Sequence, residues 1–293
     1  MEKKVCRDFD QAELARQYDA RGACPDGQIW RDFLTREGTR VRQEIPGRLD
    51  VAYGPSAAET LDVFPAAAAA APVVFFIHGG YWRSSGKDAM SVYAGAFVPA
   101  GAACVSVNYA LAPHVTIDEI VRQCRAALAW VHRNAADFGA DPDRIHVNGR
   151  SAGAHLAAML LATDWEGGWD LPADLIKGAC VVSGLYDLEP VRLCSANQWA
   201  RLDADSARRN SPLHHIPDVG CPLIVTYGGL ETDEFKRQSE DYMAAWRARG
   251  HPCRYVELPD RNHFATMPEL ADGSNPLTRA VFEQMSLAPA SAA

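Results

Sequence analysis

The stretch Arg144-Ile145-His146-Val147-Asn148-Gly149-Arg150-Ser151-Ala152-Gly153-Ala154-His155-Leu156 decides how this chain folds. Residues 144–148 are a short run that reads as a buried strand. Residues 152–161 read as a helix. Ser151 stands between them, at the centre of Gly149-x-Ser-x-Gly153. A serine pinched between strand and helix is forced onto a sharp turn. The small flanking residues let the backbone turn without clashes and leave the hydroxyl exposed above the sheet.

Working outward, the same alternation of strand and helix continues. Val73-Val74-Phe75-Phe76-Ile77 is a continuous apolar run, as in a strand buried on both faces. Similar runs follow at Ala103 to Val107, Ala179 to Val182 and Leu223 to Thr226, and a weaker one at Tyr255 to Leu258. Helix-length segments lie between them, at Ile117 to Phe138, Ala152 to Thr163 and Glu234 to Arg249. This order predicts an α/β fold with a mostly parallel central sheet and helices on both faces. Ahead of it, Leu49 to Tyr53 and Thr60 to Phe64 alternate as half-buried strands do. Pro65 through Pro72 encloses six alanines and reads as a surface connection. Residues 8–43 look helical and amphipathic, broken near Gly22 to Gly27. The predicted organisation is an N-terminal helical segment, 1–44, belonging to a cap or packed on the core. A single α/β domain follows over 45–293, with a small cap inserted around 187–220, where periodicity is weak.

Composition narrows the function. A chain of 293 residues that is 48% hydrophobic can bury roughly three quarters of its unfolded surface. A formal net charge of −8 argues against nucleic acid or an anionic membrane as partner. The first residues show no apolar signal segment, and no run is long enough to span a bilayer. None of the eight cysteines forms a C-x-x-C pair. They read as reduced thiols packed as small hydrophobes. The expectation is a cytoplasmic enzyme acting on a small molecule, with no metal and no cofactor, as a monomer or a homodimer.

Ligands of such sheets bind beyond the carboxyl ends of the strands, and the residues there carry chemistry. The first buried strand runs into His78-Gly79-Gly80-Tyr81-Trp82. Two glycines after a strand let backbone N–H groups point into a cleft, where they can hold an oxyanion. By analogy with H-G-G-G oxyanion loops, the predicted donors are Gly80, Tyr81 and, just after the serine, Ala152. Of nine histidines, His263 lies in a polar turn after the last strand run, the place for a base. His155 reads as packing or capping, His132, His146 and His251 as structural or surface residues. His214 and His215 fall in the cap, within reach of substrate. Three carboxylates compete to be the acid. Thr232 reads as an N-cap with Asp233 in the first helical turn, which leaves Glu231 facing the cleft. Asp187 reads as a turn former. Trp82 and Tyr81, with Trp199 on the cap, suggest an aromatic acceptor site.

Together these motifs resemble the arylformamidase (kynurenine formamidase) branch of the α/β-hydrolase superfamily, close to hormone-sensitive-lipase-like esterases. The resemblance covers about residue 45 to the end. It rests on His78-Gly79-Gly80-Tyr81-Trp82, on the serine turn, on Asn108-Tyr109-Ala110-Leu111-Ala112-Pro113, and on the regions around Glu234-Phe235 and Asn262-His263-Phe264. In that family the acid is an aspartate three residues before the Glu-Phe pair. Glu231 occupies that place here. The resemblance implies a catalytic triad of Ser151, His263 and Glu231. The residue before the nucleophile is usually histidine in the family, and here it is Arg150. That arginine is expected to pair with a carboxylate, or else to face an acidic group near the cleft.

The predicted activity is two-step acyl transfer from a small carboxylic ester or an N-formyl arylamide. The alternatives are a broad carboxylesterase with no formamidase role and, less favoured, an inactive binding protein of the same fold.

Overall fold

The computed structural model describes residues 4–288. Eight strands form one sheet, in the order β1-β2-β4-β3-β5-β6-β7-β8. β1 (Arg48–Ala52) and β2 (Thr60–Phe64) are antiparallel to their neighbours. β3 (Ala71–Ile77), β4 (Ala103–Val107), β5 (Ala140–Arg150), β6 (Ile176–Val182), β7 (Leu223–Thr226) and β8 (Cys253–Tyr255) run parallel. The reason is in the side chains. All seven residues of β3 and all five of β4 are buried, which only a sheet covered on both faces provides.

Several strand boundaries differ from the sequence reading: β1 lies one residue earlier, β5 extends from Ala140 to Arg150, and β6 begins at Ile176. Ala71 and Pro72 belong to β3, so the surface connection ends at Ala70. β8 is Cys253–Tyr255, earlier than the predicted run. Its register with β7 pairs Leu223 with Cys253 and Val225 with Tyr255. Beyond Tyr255 a single bridge, Gly228 to Leu258, remains.

At the N-terminus come α1 (Gln11–Gln17) and α2 (Gly27–Glu44). Short helices α3 (Lys87–Met90) and α4 (Ala94–Phe97) follow β3. The crossovers are α5 (Ile117–Asn134), α6 (Ala152–Leu161) and α11 (Asp233–Ala248), with α7 (Trp165–Trp169) after α6 and α12 (Pro276–Met285) at the end. Between β6 and β7 the chain forms α8 (Glu189–Leu193), α9 (Asn197–Ala200) and α10 (Ala204–Arg209). α6 is buried along its whole length, so it is the central helix under the site. Gly153 makes that packing possible: a Cβ there would lie 2.1 Å from the Ile77 carbonyl oxygen of β3.

The N-terminal helices are tied down by buried polar contacts. Gln17 Oε1 accepts from the Glu234 N–H at the start of α11, and its carbonyl accepts from Thr232 Oγ1. Tyr18 Oη donates to Glu234 and accepts from Gln238. Thr232 thus occupies the N-cap position, but its hydroxyl serves α1 instead of its own helix. Among the described residues no helix is long and apolar enough to cross a membrane.

Candidate active site

β5 ends at Arg150, Ser151 takes φ +56° and ψ −123°, and α6 begins at Ala152. A non-glycine residue at positive φ is strained and persists only where its surroundings hold it. Gly149 helps: a Cβ there would meet the Gly153 carbonyl oxygen at 2.2 Å. The turn leaves Ser151 Oγ 3.0 Å from Nε2 of His263. Nδ1 of His263 lies 2.6 Å from Glu231 Oε2. An N–H on Nδ1, donated to the carboxylate, leaves Nε2 free to accept from the serine hydroxyl.

Each member comes from a different strand end, so parallel topology is what gathers them. Ser151 follows β5, Glu231 lies in the loop after β7, and His263 follows β8. The other oxygen of Glu231 accepts from the hydroxyl of Ser183, just past β6, and from the Gly228 N–H at 2.7 Å. Burial alone would push the Glu231 carboxyl up; the His263 imidazole and these donors hold it below its ordinary value instead. His263 is lowered, first by burial and then by the nearby Arg150 charge, with Glu231 opposing both. The imidazole is therefore neutral at neutral pH, the state that can take a proton. Asp233 points away: its side chain is 85% exposed and its nearest ion partner is Lys236 at 3.9 Å.

Gly80, Tyr81 and Trp82 all have positive φ, at +95°, +52° and +58°. At Gly80 a side chain is excluded, since a Cβ would lie 2.2 Å from the Ser84 carbonyl oxygen. The next two residues are held by contacts from elsewhere. The Ala112 N–H donates to the Trp82 carbonyl, Tyr81 Oη donates to the Tyr18 carbonyl, and Trp199 Nε1 donates to the Tyr81 carbonyl at 3.0 Å. Among the described residues the N–H groups of Gly80 and Tyr81 meet no protein acceptor. The Ala152 N–H opens a helix, where no intrahelical acceptor exists for it.

A cavity of about 790 Å³ reaches Ser151, His263, Gly80 and Tyr81. Its far wall is made by α1, α2 and the turn between them, and Trp199 of α9 lines its side. Several sequence expectations are corrected here. Trp82 is fully buried and does not line the cavity; its indole donates to His155 Nδ1 at 3.1 Å. Consecutive left-handed residues send Tyr81 toward the cavity and Trp82 into the core. His214 and His215 do not reach the cavity either. His155 packs as expected, with Nε2 at 2.7 Å from the Asn210 carbonyl, and burial pushes it down to about 4.

Arg150 does not pair with a carboxylate among the described residues. Its guanidinium donates instead to the His263 carbonyl and to Thr266 Oγ1. The residue just before Ser151 thus grips the loop that carries the imidazole. Ser183 and Thr266 were missed by sequence reasoning. Ser183 had a usable signal, since it is the first polar residue after the apolar run of β6.

The sheet order, the serine turn and the strand-end cluster define an α/β-hydrolase. Comparison with known proteins agrees. The BD-FAE family matches over residues 61–170. The kynurenine formamidase of Salmo salar is 32% identical over 95% of this chain and 98% of its own length. Esterase LipQ of Mycobacterium tuberculosis is 31% identical over 87% of this chain and 69% of its own length. A solved structure from Silicibacter sp., provisionally described as a thioesterase, superposes with a TM-score of 0.79 at 26% identity, covering 91% of this chain and 98% of its own. The thermophilic carboxylesterase EstE1 shares the fold, with a TM-score of 0.68 at 23% identity over 90% of this chain and 98% of its own. The chain belongs to the kynurenine formamidase family of α/β-hydrolases, close to the hormone-sensitive-lipase-like esterases, and is a hydrolase.

Proposed function

We propose that this chain is a serine hydrolase that cleaves small carboxylic esters or N-formyl arylamides through an acyl-enzyme. The observation that carries the reading is the unbroken line Glu231–His263–Ser151, ending on a cavity whose rim holds unpaired N–H groups. His263 Nε2 takes the proton of Ser151 as Oγ attacks the carbonyl carbon. The N–H groups of Gly80, Tyr81 and Ala152 receive the oxyanion. His263 then gives the proton to the departing alcohol or arylamine. Water repeats the attack, with His263 again as base, and releases the acid or formate. Glu231 holds the imidazole tautomer throughout.

The aromatic lining from Tyr81, Trp199 and Phe264 supports an aryl leaving group. The N-formyl side is supported by the Salmo salar relative, and the ester side by LipQ. The cavity spans two parts of the chain, which supports reading 1–44 as one wall, 45–293 as the catalytic domain and the segment around 187–220 as its cap. Turnover of N-formylkynurenine and of short-chain aryl esters, measured side by side, tests the assignment. A formamide rate well above the ester rate is expected; an ester-only profile makes the chain a broad carboxylesterase. Ser151→Ala is expected to keep the fold and lose about 10⁴-fold or more in kcat. Normal turnover by that variant would remove the mechanism.

A further inference from the structure

Trp82 and His155 take no part in the reaction steps, yet each stands beside a group that does. Trp82 follows Gly80 and Tyr81, two of the oxyanion donors proposed above. His155 lies one turn into α6, the helix that opens on the third donor, Ala152. The two residues are 73 positions apart, and both are fully buried. The Trp82 indole N–H donates to His155 Nδ1 at 3.1 Å, and the rings meet edge to face at 88° with 5.1 Å between centroids. His155 Nε2 lies 2.7 Å from the Asn210 carbonyl oxygen. One tautomer serves both contacts: the proton sits on Nε2 and is donated to Asn210, and bare Nδ1 accepts from Trp82. Burial pushes the imidazole down to about 4, so at neutral pH it keeps that lone pair.

The pair sits where the backbone needs holding. Tyr81 and Trp82 have φ of +52° and +58°, values that bulky residues rarely adopt. Such residues persist only where their surroundings over-determine them. The Ala112 N–H holds the Trp82 carbonyl at 2.8 Å, and His155 holds its side chain. His155 is fixed in turn. Its backbone N–H donates to the Ser151 carbonyl at 3.1 Å, and Asn210, which takes its Nε2, is tied by its own amide to Asp118 at the start of α5. Gly153 brings α6 against the end of β3, and the Trp82–His155 bond sets where the loop beyond β3 lies over that helix. Donors on separate elements stabilise one oxyanion only when contacts fix their separation.

We propose that the Trp82–His155 hydrogen bond is a latch that fixes the two halves of the oxyanion hole, the Gly80–Tyr81 loop and the N-terminus of α6, at their working separation. The inference rests on the serine-hydrolase reading of the cavity. Neither residue lines that cavity, so both are positioning residues. Breaking the latch leaves the bound ester as it was and weakens the state in which the carbonyl oxygen carries charge.

The test separates the two nitrogens of His155. In His155→Asn the amide oxygen stands near the place of Nδ1 and still accepts from Trp82, while the contact with Asn210 is lost. In His155→Gln the amide nitrogen stands near the place of Nε2 and keeps Asn210, while the indole loses its acceptor. Trp82→Phe removes the donor and keeps an aromatic ring. Turnover of phenyl acetate at neutral pH is measured for each, with urea unfolding alongside. In Trp82→Phe and His155→Gln, kcat should fall about tenfold or more while KM stays within about twofold. His155→Asn should stay within about threefold of the native kcat. Trp82→Phe combined with His155→Gln should be no slower than the slower single variant, since both remove the same bond. Inhibition by trifluoroacetophenone, whose adduct with Ser151 carries an oxyanion, should weaken in step with kcat. An unchanged kcat in both bond-breaking variants, with only the urea midpoint lowered, would overturn the latch and leave the pair as core packing. So would losses that multiply in the double variant, or a His155→Asn as slow as His155→Gln. The two His155 variants decide the matter alone where Trp82→Phe does not fold. A native protein that cleaves neither phenyl acetate nor N-formylkynurenine sinks the hydrolase reading and the latch with it; an active native protein with unaffected variants sinks the latch alone.

Discussion

The two walls of the cavity are built on opposite principles. On the sheet side, Ser151, His263 and Glu231 are buried at 3%, 4% and 5% exposure, and the polar atoms that link the three are paired. Each residue there sits at a strand end, on a backbone that the sheet fixes. On the helical side, Arg16, Arg21 and Thr35 are exposed, and Arg21 has no ion partner among the described residues. The wall is anchored behind, where Tyr18 and Gln17 reach α11, and at its edges, where Asp26 accepts from Asn262 and Arg42 pairs with Asp62. A preorganised site needs the first kind of wall, because any looseness there is lost rate. Recognition of varied leaving groups tolerates the second. The comparison predicts that variants on the sheet side act on turnover, while variants on the helical side act on binding and stability.

The largest effect after loss of the serine itself is expected at Glu231. Glu231→Gln keeps the shape but loses the charge. Its one carbonyl oxygen stays with the Gly228 N–H and Ser183, which turns its NH2 toward Nδ1 and favours the wrong tautomer. As a result, kcat should fall about 10³- to 10⁴-fold. Asp233→Asn, two residues further on and exposed at the start of α11, should stay within a few-fold. If the two variants exchange these outcomes, the acid has been misplaced.

Arg150 provides the next test, because it touches the sheet-side wall through a charge. With His263 as the base proposed above, activity needs its neutral form, so the rate should fall as pH drops through the imidazole value. Burial and Arg150 both lower that value, so the acid limb should lie below the ordinary histidine value of about 6.5. Tyr93, which also feels the Arg150 charge, is itself buried and pushed up to about 12, so it stays neutral across this range. Arg150→Gln can still donate toward the His263 loop but removes the charge. The acid limb should move to higher pH, and Arg150→Lys should move it less. A limb that stays in place in both variants would mean that the guanidinium only braces the loop.

The sequence made the sheet-side wall readable and left the helical side nearly blank, for physical reasons. Gly149 to Gly153 is a local code: strand burial, two excluded side chains and one strained serine all lie within five residues. His263 and Glu231 were readable because parallel strands deliver their ends to one edge. Trp82 was misread because left-handed φ values at both Tyr81 and Trp82 separate two side chains that look equivalent in a string. The Arg150 grip on His263 spans 113 positions, and nothing in either segment announces it. The role of α1 and α2 was hidden in the same way. An amphipathic helix shows which face it buries, but not that its rim will close a cavity across from a serine.

On the helical side, Tyr18→Phe should cost stability. Tyr18 Oη donates to buried Glu234 and accepts from Gln238. Removing it leaves a carboxylate with one donor fewer and an amide N–H without an acceptor, which costs about 1–3 kcal/mol. Urea unfolding should show the loss in the midpoint, while kcat on a small ester stays close to normal. A kcat loss without a stability loss would show that the helical wall takes part in turnover.

The smallest effect tests the seam between the two walls. Trp199 comes from α9, yet its indole N–H holds the carbonyl of Tyr81, a residue that lines the cavity. Trp199→Phe keeps most of the ring under Arg83 and removes that one hydrogen bond, worth about 1 kcal/mol. If the seam serves the oxyanion loop, kcat should fall about fivefold with KM little changed, since a misdirected N–H weakens the transition state and not the bound ester. If it serves the cap alone, KM should rise and kcat should hold. The direction of this split decides whether the cap is part of the sheet-side machinery or only covers it.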